Sequence, residues 1–449
     1  GSYEGSIILN GEEQQYRAIS ESESAGIAII YQELALVPEM TVYENIFLGN
    51  EIGGAGLVDW NKTIKQAGEM LKIVGLDVNP EAKVKTLGVG KQQLVEIAKA
   101  LSRDIKLLIL DEPTAALNEG DCDNLLSLIE SLKEKGVTSI LISHKLKEVI
   151  RIADTVTVLR DGKTICTLDA HKGEVSEPVL IKHMVGREID NVYPSRADFA
   201  AGDVVLEVRN WSAFNRQLGR HVLKDVGIQV RRGEIVGFAG LMGSGRTELA
   251  RSIFGNPDEY ILEGQLFVNG EQVSFSHPSQ AVEAGIAYVS EDRKRNGLIL
   301  AQDVKRNITL ANLQRISRNM VVDSNKEVKV AAEYKQAMNI RTPSVEQHVN
   351  KLSGGNQQKV QIAKWLFVEP RILILDEPTR GIDVGAKYEI YTIMNRLVAE
   401  GMSIIMISSE LPEVLGMSDR IYVVSSGRIT GELPTVEATQ ERIMEMATS

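Results

Sequence analysis

Two short acidic segments, Leu110-Asp111-Glu112-Pro113-Thr114 and Leu375-Asp376-Glu377-Pro378-Thr379, each close an apolar run. An aspartate in that place can hold Mg2+ and the glutamate after it can polarise an attacking water, which is the chemistry of phosphoryl transfer. A phosphate site is written elsewhere. Residues 240–247, GLMGSGRT, fit the G-x-x-x-x-G-K-[ST] frame except at the lysine. Gly240, Gly243 and Gly245 let successive N–H groups, with that of Ser244, wrap a phosphate at the start of a helix. Thr247 can place a hydroxyl on Mg2+. Arg246 keeps the positive charge, although its planar fork does not match a compact ammonium.

These residues must be positioned by repeated elements, because most of the chain is written twice. LGVGKQQLVEIAKAL from Leu87 and LSGGNQQKVQIAKWL from Leu352 stand 265 residues apart, as do the two acidic segments. LISHKLKEV, with His144, and MISSELPEV, with Ser409, keep the same offset. Self-similarity at this length indicates two copies of one domain. The first copy is expected over 1–170, a linker over 171–203 and the second copy over 204–449. The phosphate loop occurs only in the second copy. Its counterpart is expected to lie before residue 1, so that the first copy is incomplete and this chain, which opens Gly1-Ser2, is impaired as an enzyme.

Short apolar runs such as EIVGFAG, KLLILDEP and TSILISH read as buried strands, and helical stretches such as QQLVEIAKALSR alternate with them. The fold class expected is α/β, a largely parallel sheet with helices on both faces, written in tandem. Residues 33–100 and 292–355 read as inserted helical subdomains. Each copy closes on a hairpin, the first turning at Asp161-Gly162 and the second at Ser426-Gly427.

The 449 residues carry a net charge of −11 and 43% hydrophobic content, with a pI near 5.3, so there is no broad basic footprint for nucleic acid. Cys122 and Cys166 have neither zinc nor disulfide spacing. No apolar run approaches the roughly 20 residues of a membrane span, and a cytoplasmic protein is expected.

Leu352-Ser353-Gly354-Gly355-Asn356-Gln357 resembles the signature motif of ABC-type ATPases, and the resemblance covers nearly the whole chain. It implies ATP and Mg2+, held between the phosphate loop of one domain and the signature of the other. Ser353, Gly354, Gly355 and Gln357 are then expected at the nucleotide, and Asp111 and Asp376 at the metal with Thr247. Gln32 matches the family's Q-loop and is expected at Mg2+ and in catalysis. His144 matches its switch histidine. The second copy has Glu291 and Ser409 at those places, and the first copy's signature reads Leu87-Gly88-Val89-Gly90-Lys91. One hydrolytic site is therefore expected, with Gln32, Glu112 and His144 facing 353–355. The other, with Arg246 and Glu377, is expected to be degenerate, with residual turnover through Glu377.

Within that family, SEDRKRNGL from Ser290, EPTRGIDVGAKYEIY from Glu377 and the ending ITGELPTVEATQERIMEM resemble the monosaccharide importers, especially the multiple-sugar and xylose branch. This implies two membrane permease subunits and an extracytoplasmic sugar-binding protein as partners, and a location on the cytoplasmic face of the membrane. Soluble tandem translation factors are the alternative. They expect a basic connector, whereas 171–203 carries four basic and six acidic residues. An inactive structural module is the third reading. Trp211 and Phe214 are both candidates to meet adenine.

Overall fold

The computed structural model describes residues 4–31, 34–54, 57–103, 105–114, 117, 119–143, 145–160, 162–185, 193–196 and 202–448. The chain forms two compact units, Gly1–Arg187 and Glu188–Ser449.

In the second unit a six-stranded sheet runs in the order Ile286–Val289, Ile372–Asp376, Ser403–Ile407, Ile235–Gly240, Arg420–Ser425 and Arg428–Pro434. Every neighbouring pair is parallel except the last, the hairpin that turns at Ser426-Gly427. Strand alternation sorts the apolar residues onto two faces. Ile235, Ala239, Leu373, Leu375, Ile404 and Met406 face one core, which the helices Gly354–Leu366, Val384–Ala399 and Leu411–Met417 complete. Val236, Phe238, Ile372, Ile374, Ile405 and Ile407 face the other. That side is covered by the helix Arg246–Ile253 and by an antiparallel sheet ordered Arg220–Arg231, Val204–Asn215, Ile261–Val268, Glu271–Val273. Burial on both faces is what nearly continuous apolar strands require.

The first unit repeats part of this plan in the same register. Its strands Ile27–Ile30, Leu107–Asp111 and Thr138–Ile142 form a parallel sheet, and Thr155–Arg160 pairs with Lys163–Asp169 as a separate hairpin. One face is packed: Ile30, Leu108 and Leu110 meet the helices Val42–Phe47, Val89–Leu101 and Glu119–Glu134. On the other face Ile140 and Ile142 are 48% and 49% exposed, against 3% and 2% for their counterparts Ile405 and Ile407. Of the antiparallel sheet, the described residues of this unit keep only a hairpin, Ile7–Leu9 with Glu12–Gln14, in the register of Leu266–Val268 with Glu271–Val273, and they include no counterpart of the helix Arg246–Ile253. The helix Glu177–Val185 packs on the hairpin, within the same compact unit.

Both inserted segments are helical, as expected, with one addition: each carries a two-residue hairpin, Gly53–Gly54 with Leu57–Val58 and Ser317–Arg318 with Val321–Val322. Their first helices begin alike. Buried Asn45 and Asn307 accept from the backbone N–H of Val37 (2.7 Å) and Ile299 (2.8 Å), so the same amide fixes the entry of each subdomain.

One buried charge gives the second unit a pH signature. Lys364 donates from Nζ to the Gly297 carbonyl at 2.5 Å and lies 4.8 Å from the Trp365 ring centre, and burial pushes its ammonium down to about 8. The folded state therefore resists the charged form. The penalty is fully present below pH 8 and is relieved as pH rises toward the unfolded value of 10.5. It amounts to about 3 kcal/mol at most. Thermal melting of Lys364→Met beside the unsubstituted protein is expected to show the variant relatively more stable at pH 7 than at pH 10. A melting difference independent of pH would contradict this.

Candidate functional site

The second unit builds its site at the carboxyl ends of the central parallel strands. Ile235–Gly240 runs into the loop, and the helix Arg246–Ile253 leaves it, the context that phosphate binding needs. Gly240 has φ of 153°, and a side chain there would overlap the Val424 carbonyl and the Ser244 hydroxyl. Gly245, with φ of 111°, passes beside Gly427. The loop is tied down by the bond from Gly427 N–H to the Ser244 carbonyl (2.7 Å), so the hairpin turn anchors it. Thr247 is half-buried on the first turn of the helix.

Asp376 closes the strand Ile372–Asp376, separated from the phosphate-loop strand by Ser403–Ile407, and is fully buried. Burial pushes its carboxyl up to about 6, against the pull of hydrogen bonding from Tyr288 and Thr247. Tyr288 donates its hydroxyl to Oδ2 at 2.8 Å, while Oδ1 is buried and makes no hydrogen bond. The Ser244 hydroxyl is likewise buried without a partner. Orphaned oxygens of this kind are costly unless something meets them. A carboxylate and a threonine hydroxyl are oxygen donors suited to Mg2+, and the loop's N–H groups suit a phosphate. The residues present fit a magnesium nucleotide.

The catalytic candidate Glu377 follows with a left-handed φ of 48°, held by its N–H on the Ile407 carbonyl at 2.9 Å. Glu112 repeats this geometry, with φ of 47° and its N–H on Ile142 at 2.8 Å. The surroundings differ. Ser409 donates to Glu377 Oε2 at 3.0 Å, and Arg246 Nη2 lies 3.9 Å from Oε1. Arg246 is itself buried and donates through Nη1 to the Ser408 carbonyl at 2.5 Å. Burial pushes its guanidinium below the ordinary value, and Glu377 and Asp376 oppose that shift. The arginine at the lysine position thus bridges the phosphate loop to the segment that holds Ser409. Asp111 is half-buried, and Ile29 stands where Tyr288 supports Asp376. Gln32 and His144 lie outside the described residues.

The signature residues sit where the helix Gly354–Leu366 begins. Ser353 precedes its first turn and accepts from Asn356 Nδ2 at 2.9 Å. A Cβ on Gly355 would lie 2.6 Å from Ala386 Cβ, so this glycine is required by the neighbouring helix, whatever its part at a nucleotide. A Cβ on Gly354 would lie 2.8 Å from Arg293 Nη2 and 3.4 Å from the Gly381 carbonyl oxygen, so its one tight contact is with a side-chain end. Val89, its counterpart, is exposed. Gln357, expected at the nucleotide, is turned the other way: it is buried and its Nε2 donates to the carbonyls of Val349 and Leu352, both at 3.1 Å. Gln92 does the same on Leu87 (2.8 Å), which makes this glutamine the fastener of the turn before the helix in both copies.

Two further features were not anticipated from the sequence. Glu291 forms an ion pair with Arg380, and Arg293 donates to the Arg380 carbonyl at 3.1 Å, so the second acidic segment is tied to the Q-loop position by charge. Buried Glu413 accepts from Thr379 (2.8 Å) and from Ser408, joining the acidic segment to the switch segment. Glu148 repeats this with Thr114 (2.7 Å) and Ser143 (3.5 Å). The signal was present: Glu148 and Glu413 are themselves a repeated pair at the 265 offset. Trp211, a candidate for adenine, is instead a core residue that donates to Ser252 Oγ at 3.0 Å. Phe214 is half-buried, edge-on to His221 with ring centres 5.1 Å apart.

Comparison with known proteins agrees with this geometry. The family profile described as "ABC transporter" matches residues 2–115 and 223–380. The L-arabinose transport ATP-binding protein AraG of Geobacillus stearothermophilus is 56% identical over 449 residues, all of this chain and 87% of that protein. The xylose import ATP-binding protein XylG of Thermoanaerobacter pseudethanolicus is 53% identical, over all of this chain and 88% of that protein. XylG of Escherichia coli K12 is 48% identical over 452 residues.

The packing around the signature glycines separates their roles. Gly355→Val is expected to lower stability by about 1–3 kcal/mol through overpacking against Ala386. Gly354→Val, the residue of the first copy, should change stability less, because the atom it crowds most is a guanidinium end and not a packed helix. Chemical denaturation of the two variants checks this. Equal losses would contradict it.

Proposed function

The chain belongs to the ABC transporter family, and on that premise we propose that it is the ATP-binding subunit that energises import of a monosaccharide through a membrane permease. The names of its relatives support a five-carbon sugar such as L-arabinose or xylose. Two permease subunits and an extracytoplasmic sugar-binding protein complete the machine, and this subunit works from the cytoplasmic face. No helix among the described residues is long and apolar enough to cross a membrane, so the membrane part falls to those partners.

We further propose that the two nucleotide sites divide the work. Asp111, Glu112, Gln32 and His144 form the hydrolytic set, with Ser353, Gly354 and Gly355 as its signature. The second set, from Gly240 to Thr247 with Asp376, holds a magnesium nucleotide and turns it over slowly. The observation that carries this reading is the pairing of Glu377 with Ser409 and Arg246. A general base must be free to take a hydrogen bond from water, and here its two oxygens already face a hydroxyl and a guanidinium. A serine at the switch position also lacks the imidazole that reaches a γ-phosphate.

ATP turnover by the transporter assembled in membrane vesicles, with sugar-loaded binding protein present, tests the division. Glu112→Gln is expected to reduce turnover by roughly 10²–10⁴, and Glu377→Gln by less than about threefold. Loss of turnover in Glu377→Gln with Glu112→Gln unaffected would reverse the assignment.

A further inference from the structure

The second copy departs from the first at three positions that have no part in nucleotide chemistry. Tyr391, Asn395 and Gly416 stand where the first copy has Leu126, Glu130 and Arg151. In the first unit Arg151 fills its own surface, paired with Asp123 (2.7 Å) and Glu130 (3.6 Å). In the second unit the same place is an indentation occupied by the connecting chain. The Tyr193 ring lies against Gly416 so closely that a Cβ there would overlap it, and its centre is 5.4 Å from that of Tyr391. Asn395 Nδ2 donates to the Pro194 carbonyl at 2.9 Å. Arg196 forms an ion pair with Asp419, whose other oxygen accepts from Ile235 N–H at 2.8 Å, at the foot of the strand that carries the phosphate loop.

Beneath this seat runs the switch machinery. Gly416 and Glu413 are one turn apart on the helix Leu411–Met417. The Tyr391 hydroxyl is buried beside Thr379 and Glu413. Glu413 holds Ser408, and Ser408 holds Arg246. On its inner side the same helix lies directly on the phosphate-loop strand, where a side chain on Gly237 would overlap Val414 and Ser418.

We propose that residues 193–196 are a latch, and that Tyr193 is a positioning residue which, seated on Gly416, Tyr391 and Asn395, fixes the switch helix and through it the second nucleotide site. The chain that connects the two units thereby sets how firmly that site grips. The inference rests on the reading of the second unit as a nucleotide-holding site. Its physical basis is a contiguous set of packed and hydrogen-bonded groups from the linker to Arg246, each link being a contact given above. The exchange of three residues between the copies is what creates the seat, because Arg151, Glu130 and Leu126 offer neither the space nor the amide donor.

The test compares the full chain with Tyr193→Ala, Tyr193→Phe and Asn395→Glu, reading MgATP affinity by equilibrium dialysis and amide hydrogen exchange across residues 204–448. Tyr193→Ala is expected to weaken MgATP binding about tenfold, within the roughly 2- to 30-fold range of such couplings. Exchange should quicken selectively over 408–417. Tyr193→Phe should restore most of both, and Asn395→Glu should move both in the direction of Tyr193→Ala. Unchanged affinity and unchanged exchange in Tyr193→Ala would overturn the latch. So would exchange quickened uniformly through the second unit, since Tyr193 would then be a core residue and nothing more. If the unsubstituted chain bound no MgATP, the nucleotide-site reading would fail by itself, and selective exchange at 408–417 would still decide the latch.

Discussion

Asp376 is an acid buried to the last ångström at the end of a strand, and the second site is organised around keeping it there. Water solvates a carboxylate far better than a protein interior does, so its charge is disfavoured and its pKa rises to about 6. Tyr288 and Thr247 return part of that loss. One oxygen remains unmet, facing a loop whose serine hydroxyl is also unmet. A bound cation and phosphate would satisfy both groups. The strand after it, the loop beside it and the switch segment beyond it are all held by bonds that converge on Asp376 and Glu377.

That convergence explains the asymmetry between the copies. Both glutamates share one backbone conformation, fixed by the same hydrogen bond from the neighbouring strand. What differs is the company. In the second unit a serine and an arginine face Glu377, and a tyrosine supports the aspartate. These substitutions form a connected set: Arg246 reaches the Ser408 carbonyl, and Ser409 reaches Glu377. The serine and the arginine together make a firmly bonded site around Glu377.

Much of the architecture was legible in the sequence because it depends on local pattern. The apolar runs ending in Asp-Glu read as buried strands, and the 265-residue offset carried the first unit's elements onto the second's. The hairpins turning after Arg160 and Ser425 followed from strand propensity on either side of a glycine turn. What escaped was set by the partner each side chain finally meets, near or far along the chain. Gln357 sits in the signature but spends its amide on the carbonyls before it. Trp211 could have faced solvent or core by its type alone, and strand alternation placed it inward. The Glu291–Arg380 pair joins residues 89 apart, so neither charge announces the other along the chain. Gly416 carries no meaning until Tyr193 is seen to lie on it.

The central claim, that the second unit holds MgATP and leaves it largely intact, is tested most directly by a single-turnover experiment. The chain is mixed in excess with radiolabelled MgATP, and the nucleotide that stays bound is extracted and separated over time. The account predicts that bound label remains ATP, and that Glu377→Gln does not change its lifetime. Conversion to ADP within a few seconds, slowed by Glu377→Gln, would contradict it.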